Sequence, residues 1–224
     1  MNTYEIKGDI RKKVILCITV ISLIAGYLLF ELSNSIMWLI EIHLPAISDF
    51  LAEWEFLGVF SAQITFITMF SFFSWLFNNH LWRISWINKH LGVPDLNGLW
   101  EGGLESSVIN NGENIKIDMK LEIIQSWSTM TCTSFFPRSK SYSDIVCVDC
   151  KSPQGVMLKF TYTNYSEDVN SGLPQFAGYN ELRLCDNNTL SGTYFTKRVP
   201  STRGTILLVR RNVKDDINEP VNVN

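Results

Sequence analysis

Tyr194, Thr196 and Arg198 recur at every second position of 189-TLSGTYFTKR-198, so on an extended strand they share one face. Thr202 and Arg203 follow in the adjoining turn. Between Lys197 and Arg211 stand five basic residues, at 197, 198, 203, 210 and 211, and no acidic one. A ring, a hydroxyl and a guanidinium in series suit an anionic ligand that carries flat rings. Arginine's planar fork grips phosphate through paired hydrogen bonds, and aromatic side chains stack on nucleobases. A pocket filled by lipid has little use for such a series. The alternative use of Arg198 and Arg203 is structural, as ion-pair partners of the loop acids Glu167 and Asp168.

The same region offers little for catalysis. All three histidines (43, 80 and 90) precede Pro94, no nucleophile-elbow motif follows it, and Glu101 and Glu105 share a strand face only as part of an exposed alternation. No catalytic residue is therefore assigned, and the chain reads as a non-enzyme. Cys147-Val148-Asp149-Cys150 has C-x-x-C spacing, but two strand residues three apart point to opposite faces, and zinc needs four ligands. Reduced thiols are expected, with no metal and no cofactor. Residues 83–224 hold 15 basic and 15 acidic side chains, a balance that argues against polymeric nucleic acid as a partner.

Strands must position these residues. Ile115, Ile117, Met119, Leu121 and Ile123 alternate with charged residues, the mark of a half-buried strand. Continuing this reading gives eight strands at about 98–106, 114–126, 128–136, 143–150, 156–165, 177–186, 189–198 and 204–212, separated by turn signals at steady spacing. Consecutive hairpins predict an all-β, eight-stranded, up-and-down antiparallel barrel over 94–213, whose interior holds side chains or one small ligand. Turns alternate between the two ends of such a meander. One end receives the tight turns near Ser126, Ser152–Gly155 and Asp186–Asn188. The other receives the longer segments 107–114, 136–143, 165–178 and 199–204, which carry bases and aromatics and form the expected mouth. Strand parity adds Tyr162 and Asn180 to the candidate site, and the mouth segment 136–143 adds Arg138.

Gly98-Leu99-Trp100 resembles the Gly-x-Trp opening of lipocalin-type barrels, which implies that Trp100 plugs the closed end. Ahead of it lie two apolar stretches. From Val14 to Trp82 there is no Lys or Arg. Val14–Phe30 is uncharged and 17 residues long, extendable to a span of about 14–34; Phe56–Phe77 is a 22-residue span. Lys7, Arg11, Lys12 and Lys13 precede the first, the connection carries only acidic charges, and Arg83 and Lys89 follow the second. The positive-inside rule then places both termini and the barrel in the cytoplasm. Residues 1–90 thus read as a two-helix transmembrane region and 214–224 as a disordered tail. Ser61, Thr65 and Thr68, with Gln63 nearby, supply polar groups for helix packing, for contact between protomers or for a wet pore.

Two spans, then 95-DLNGLWEG-102, then a β domain that ends in Tyr194-Phe195-Thr196-Lys197-Arg198 and Thr202-Arg203-Gly204-Thr205-Ile206, resemble the two-transmembrane, β-strand-rich effectors of bacterial CBASS anti-phage systems. The resemblance covers nearly the whole chain. It implies a barrel that binds a cyclic dinucleotide made by a partner nucleotidyltransferase (CD-NTase), ligand-induced self-assembly in the bacterial inner membrane, disruption of the bilayer, and abortive infection. Under this reading Arg198, Tyr194, Thr196, Arg203, Thr202, Tyr162, Asn180 and Arg138 hold the ligand. Two other functions stay open on sequence alone: a membrane-tethered, lipocalin-like carrier or sensor of a hydrophobic molecule, and a scaffold that binds protein through the outer face of its barrel.

Overall fold

A computed structural model of the chain describes residues 2–6, 10–43, 56–166 and 175–211, with only the backbone described at Asn2, Met37 and 56–64. The acidic connection between the spans (beyond His43), the Glu167 and Asp168 pairing, the polar side chains at Ser61 and Gln63, and the tail at 214–224 lie outside what is described. The chain divides into two compact units, Asp9–Ile84 and Met1–Gly8 with Ser85–Asn224.

The first unit is helical. Helix α1 runs over Ile10–His43 and α2 over Phe56–Asn79, followed by a single 3-10 turn at Leu81–Arg83. At 34 residues α1 is longer than the expected span, because it absorbs the basic cluster at 11–13 and continues through Glu31. At 1.5 Å per residue it rises about 50 Å, more than a hydrocarbon core of about 30 Å. Leu16, Ile24, Tyr27 and Leu28 are each at least 56% exposed. A water-soluble helix buries such a stripe, whereas a lipid-facing helix displays it. Among the described residues α1 is the one helix long and apolar enough to cross a membrane. Small residues mark where the helices meet. Ser22 is buried with its hydroxyl donating to the Ile18 carbonyl at 2.7 Å, and one turn on Gly26 faces the Phe66 backbone.

The second unit is the barrel. A short helix α3 (Ser85–Leu91) leads to the eight strands β3 (Gly98–Asn110), β4 (Glu113–Gln125), β5 (Thr129–Phe136), β6 (Ser139–Asp149), β7 (Met157–Ser166), β8 (Phe176–Cys185), β9 (Thr189–Lys197) and β10 (Arg203–Arg210). Each pairs antiparallel with the next, and β10 pairs with β3, so the sheet closes as an eight-stranded up-and-down barrel. Cross-strand partners on the outer face are complementary. Glu101 stands opposite Lys120 and Lys159 opposite Glu181, and these form ion pairs of 2.8 and 2.9 Å. Inside, Trp100, Leu121, Ile123, Met130, Leu158, Leu182 and Leu190 are buried together and fill the closed end. The Trp100 indole N–H donates to the Leu96 carbonyl at 3.0 Å, and the Arg210 guanidinium lies 4.5 Å from its ring centre. A buried indole needs both an apolar bed and an acceptor, and it has both here.

Two features depart from the sequence reading. The mouth segments 107–114 and 136–143 are not long loops. β3 and β4 run on to the turn Asn111-Gly112, and β5 and β6 to the turn Pro137-Arg138. Asn111 and Gly112 take φ of 52° and 86°, the left-handed pair that a two-residue hairpin of right-twisted strands requires. The second departure is at the seam between β5 and β6, which pair only where Thr133–Phe136 meets Ser139–Tyr142. Towards the closed end they part, and the first residues of the chain fill the gap. Strand β1 (Asn2–Thr3) pairs with Thr129 and Met130, and β2 (Glu5–Ile6) runs parallel to Cys147 and Val148. Tyr4 and Ile6 are buried there, and the Gln125 side-chain amide donates to the Tyr4 hydroxyl at 3.2 Å.

Candidate ligand-binding site

The mouth half of the barrel encloses a cavity of about 320 Å³, within the range of small-molecule sites. Leu104, Ile117, Met119 and Ile206 supply its apolar lining; Tyr162, Asn180, Tyr194, Thr196, Arg198, Thr202 and Arg138 supply polar groups. Seven of the eight residues singled out in the sequence therefore meet in one cavity. Arg203 does not join them. It begins β10 facing outward, beside Glu105 and Phe195, and its backbone N–H donates to the Ser107 hydroxyl at 3.3 Å. Strand parity is the reason: Gly204 and Ile206 face inward, so 203 faces out.

The end of β9 is braced by its own hairpin. The Thr196 and Thr202 hydroxyls lie 2.9 Å apart, the Thr202 N–H donates to the Thr196 hydroxyl at 3.0 Å, and the Thr196 N–H donates to the Thr202 carbonyl at 2.8 Å. Arg198 Nη2 then donates to the Thr202 hydroxyl at 3.1 Å, and the guanidinium packs 5.1 Å from the Phe176 ring centre. Four of its five N–H groups have no role in that contact. A guanidinium held by one hydroxyl and one ring keeps a free fork for an anion.

Both cavity tyrosines lie over glycines. A methyl group at Gly178 would collide with the Tyr162 ring, and one at Gly204 would approach Tyr194 Cε1 to 2.8 Å. In register, Gly178 stands opposite Tyr162 and Gly204 opposite Tyr194, so each glycine opens the space its neighbour's ring occupies. Burial, helped by the nearby Tyr194, raises the Tyr162 pKa well above the ordinary tyrosine value, and Arg198 opposes this weakly. The phenol therefore stays protonated and can donate.

Polar residues that the sequence reading passed over also line the cavity: Ser106, Ser134, Ser139, Ser141 and Asn164. A register shift between Ser143 and Ile145 reverses parity along β6, so the inward faces of Val146 and Val148 do not point back to Ser141. Asn164 shows in the sequence only as the start of an Asn-x-Ser triplet. Among the described residues no group of three or more His, Cys, Asp or Glu is placed to hold a metal. The cysteines are not joined in disulfides, and burial pushes the Cys150 thiol up to about 11.

Residues 91–210 match the family described as Cap15, cyclic dinucleotide receptor domain. The chain belongs to this family. The match begins in α3 and ends with β10, so it covers the whole barrel. Beyond it, the chain is 26% identical over 203 residues to CD-NTase-associated protein 15 of Yersinia aleksiciae, covering 85% of this chain and 88% of that protein. It is also 26% identical over 156 residues to CD-NTase-associated protein 15 of Escherichia albertii, covering 66% and 79%. The similarity to the Yersinia protein thus extends well outside the receptor domain.

Proposed function

We propose that this protein is a membrane effector of CBASS anti-phage defence, a non-enzymatic receptor needing no cofactor. Its barrel binds a cyclic dinucleotide made by a partner CD-NTase. Both helices cross the bacterial inner membrane, with the termini and the barrel in the cytoplasm. Ligand binding drives self-association, the bilayer is disrupted, and infection aborts. The observation that carries this reading is the braced Arg198 at the mouth of a cavity lined by hydroxyls, amides and two tyrosines, in a chain of the cyclic dinucleotide receptor family. Arg198 and Arg138 take phosphate; Tyr162 and Tyr194 stack or donate; Thr196, Thr202 and Asn180 complete the contacts. Arg203, at the outer rim, adds positive potential that steers the ligand inward.

The test uses full-length protein in detergent micelles. Thermal unfolding is followed against cyclic dinucleotides, linear nucleotides and fatty acids. A ligand at a hundred times its dissociation constant adds about 2.7 kcal/mol to stability. A raised midpoint with one cyclic dinucleotide, lost in Arg198→Ala, is the expected result. A shift with fatty acids alone would favour the lipid carrier, which the apolar lining of Leu104, Ile117, Met119 and Ile206 could serve.

A further inference from the structure

Ser134 is only 1% exposed, lines the cavity, and its hydroxyl makes no hydrogen bond among the described residues. A buried hydroxyl without a partner destabilises a fold. Its position suggests what the hydroxyl is kept for. In register Ser134 stands opposite Ser141, and Ser141 opposite Asn164, so the three form one ladder across β5, β6 and β7. All three are buried and face the cavity. The Asn164 amide nitrogen donates to Ser141 at 2.8 Å and to Ser139 at 3.2 Å, which fixes the amide plane. Continued along the register, the row passes from Asn164 to Phe176, whose ring lies 5.1 Å from the Arg198 guanidinium, while Ser134 at its other end, on β5, lies across the barrel from β9.

The cavity's cations, Arg198 after β9 and Arg138 in the β5–β6 turn, differ in chemistry from the ladder itself, which is neutral and offers hydroxyls and an amide oxygen. Cations match phosphates, whereas neutral groups match the edge of a base: the Ser134 hydroxyl can donate or accept there, and Asn164 Oδ1 can accept while its two N–H groups are held by Ser139 and Ser141. We infer that Ser134, Ser141 and Asn164 form a base-reading subsite that sets which nucleobase the barrel accepts, while Arg198 holds the phosphates irrespective of base. This inference rests on the reading of the barrel as a cyclic dinucleotide receptor.

Isothermal titration of full-length protein in detergent micelles tests it, with cyclic dinucleotides that share a phosphodiester ring and differ in their bases (diadenylate, diguanylate, diuridylate and mixed). Ser134→Ala should leave the unliganded unfolding midpoint unchanged or raised, yet weaken the best-bound dinucleotide about tenfold. Asn164→Ala should shrink the spread of affinities across the panel by a similar factor, and Arg198→Ala should weaken all members alike. The inference is overturned if Ser134→Ala binds every dinucleotide as the unaltered protein does. Equal losses for all bases in Ser134→Ala and Asn164→Ala would also overturn it, as would a lowered midpoint in Ser134→Ala with its affinities intact. Failure of the unaltered protein to bind any dinucleotide would instead overturn the receptor reading itself.

Discussion

Arg198 and Tyr162 show how single side chains in this cavity are tuned by their neighbours. The Arg198 guanidinium is oriented by Thr202 on one side and Phe176 on another. Arg198→Lys keeps the charge but loses the planar fork and the stacking surface. We expect it to weaken cyclic dinucleotide affinity about tenfold with little change in unfolding midpoint, read by titration calorimetry; unchanged affinity would mean that only the charge matters. Tyr162 makes a pH prediction. Burial raises its pKa in the folded state, so the neutral phenol is the form the fold accommodates. Its contribution to stability is complete below the ordinary tyrosine value of 10.0 and is lost as pH climbs from there towards the folded value, because the unfolded chain releases the proton first. Tyr162→Phe should flatten this alkaline decline, measured as denaturant midpoints of the two proteins between about pH 9 and 11. Parallel curves would show that the phenol does not titrate differently on folding.

Among the elements, the N-terminal pair β1 and β2 is the least ordinary. Strands that part leave unpaired backbone groups along their edges, and an uncovered edge is an invitation to pairing with other chains. Asn2–Ile6 covers both edges of the β5–β6 seam and adds the buried side chains of Tyr4 and Ile6. Ile6→Ala should therefore cost the barrel about 2–4 kcal/mol, as core truncations do. Denaturant unfolding followed by tryptophan fluorescence reads this directly. A cost below about 0.5 kcal/mol, the range of surface substitutions, would show that the seam holds without its strap. A fragment starting near Pro94 lacks the strap entirely, which is why binding is best measured on the full chain.

For the molecule as a whole, the cavity and the exposed apolar helix occupy different units, and under the proposed function these are receptor and output. The barrel holds the cavity; the helices hold the apolar surface. A ligand can shift the population towards an assembled state only by binding that state more tightly. Full-length protein in vesicles of bacterial phospholipid should therefore release an entrapped dye when its cyclic dinucleotide is added, and Arg198→Ala should not. Retention of the dye at saturating ligand would sink the membrane-disruption step while leaving the receptor intact. Measured against protein concentration, release should rise more steeply than linearly if self-association comes first.

Much of this architecture was legible in the chain because it rests on short-range rules. Period-two alternation marks the strands, uninterrupted apolar runs mark the helices, and meander order places Tyr194, Thr196 and Arg198 at one mouth. Parity alone carried Tyr162 and Asn180 into the cavity, since β7 and β8 are regular where those residues sit. What the linear pattern cannot express is where parity breaks or which distant segments meet. The bulge in β6 hid Ser141, and a serine on an otherwise apolar face gave Ser134 no signal. Arg203 reads as a turn residue next to Thr202, but β10 begins with it, so the regular alternation that turns Thr202, Gly204 and Ile206 inward turns Arg203 out. The pairing of Asn2–Ile6 with strands more than a hundred residues later is a long-range contact with no local signature, and only closure of the barrel creates the gap it fills.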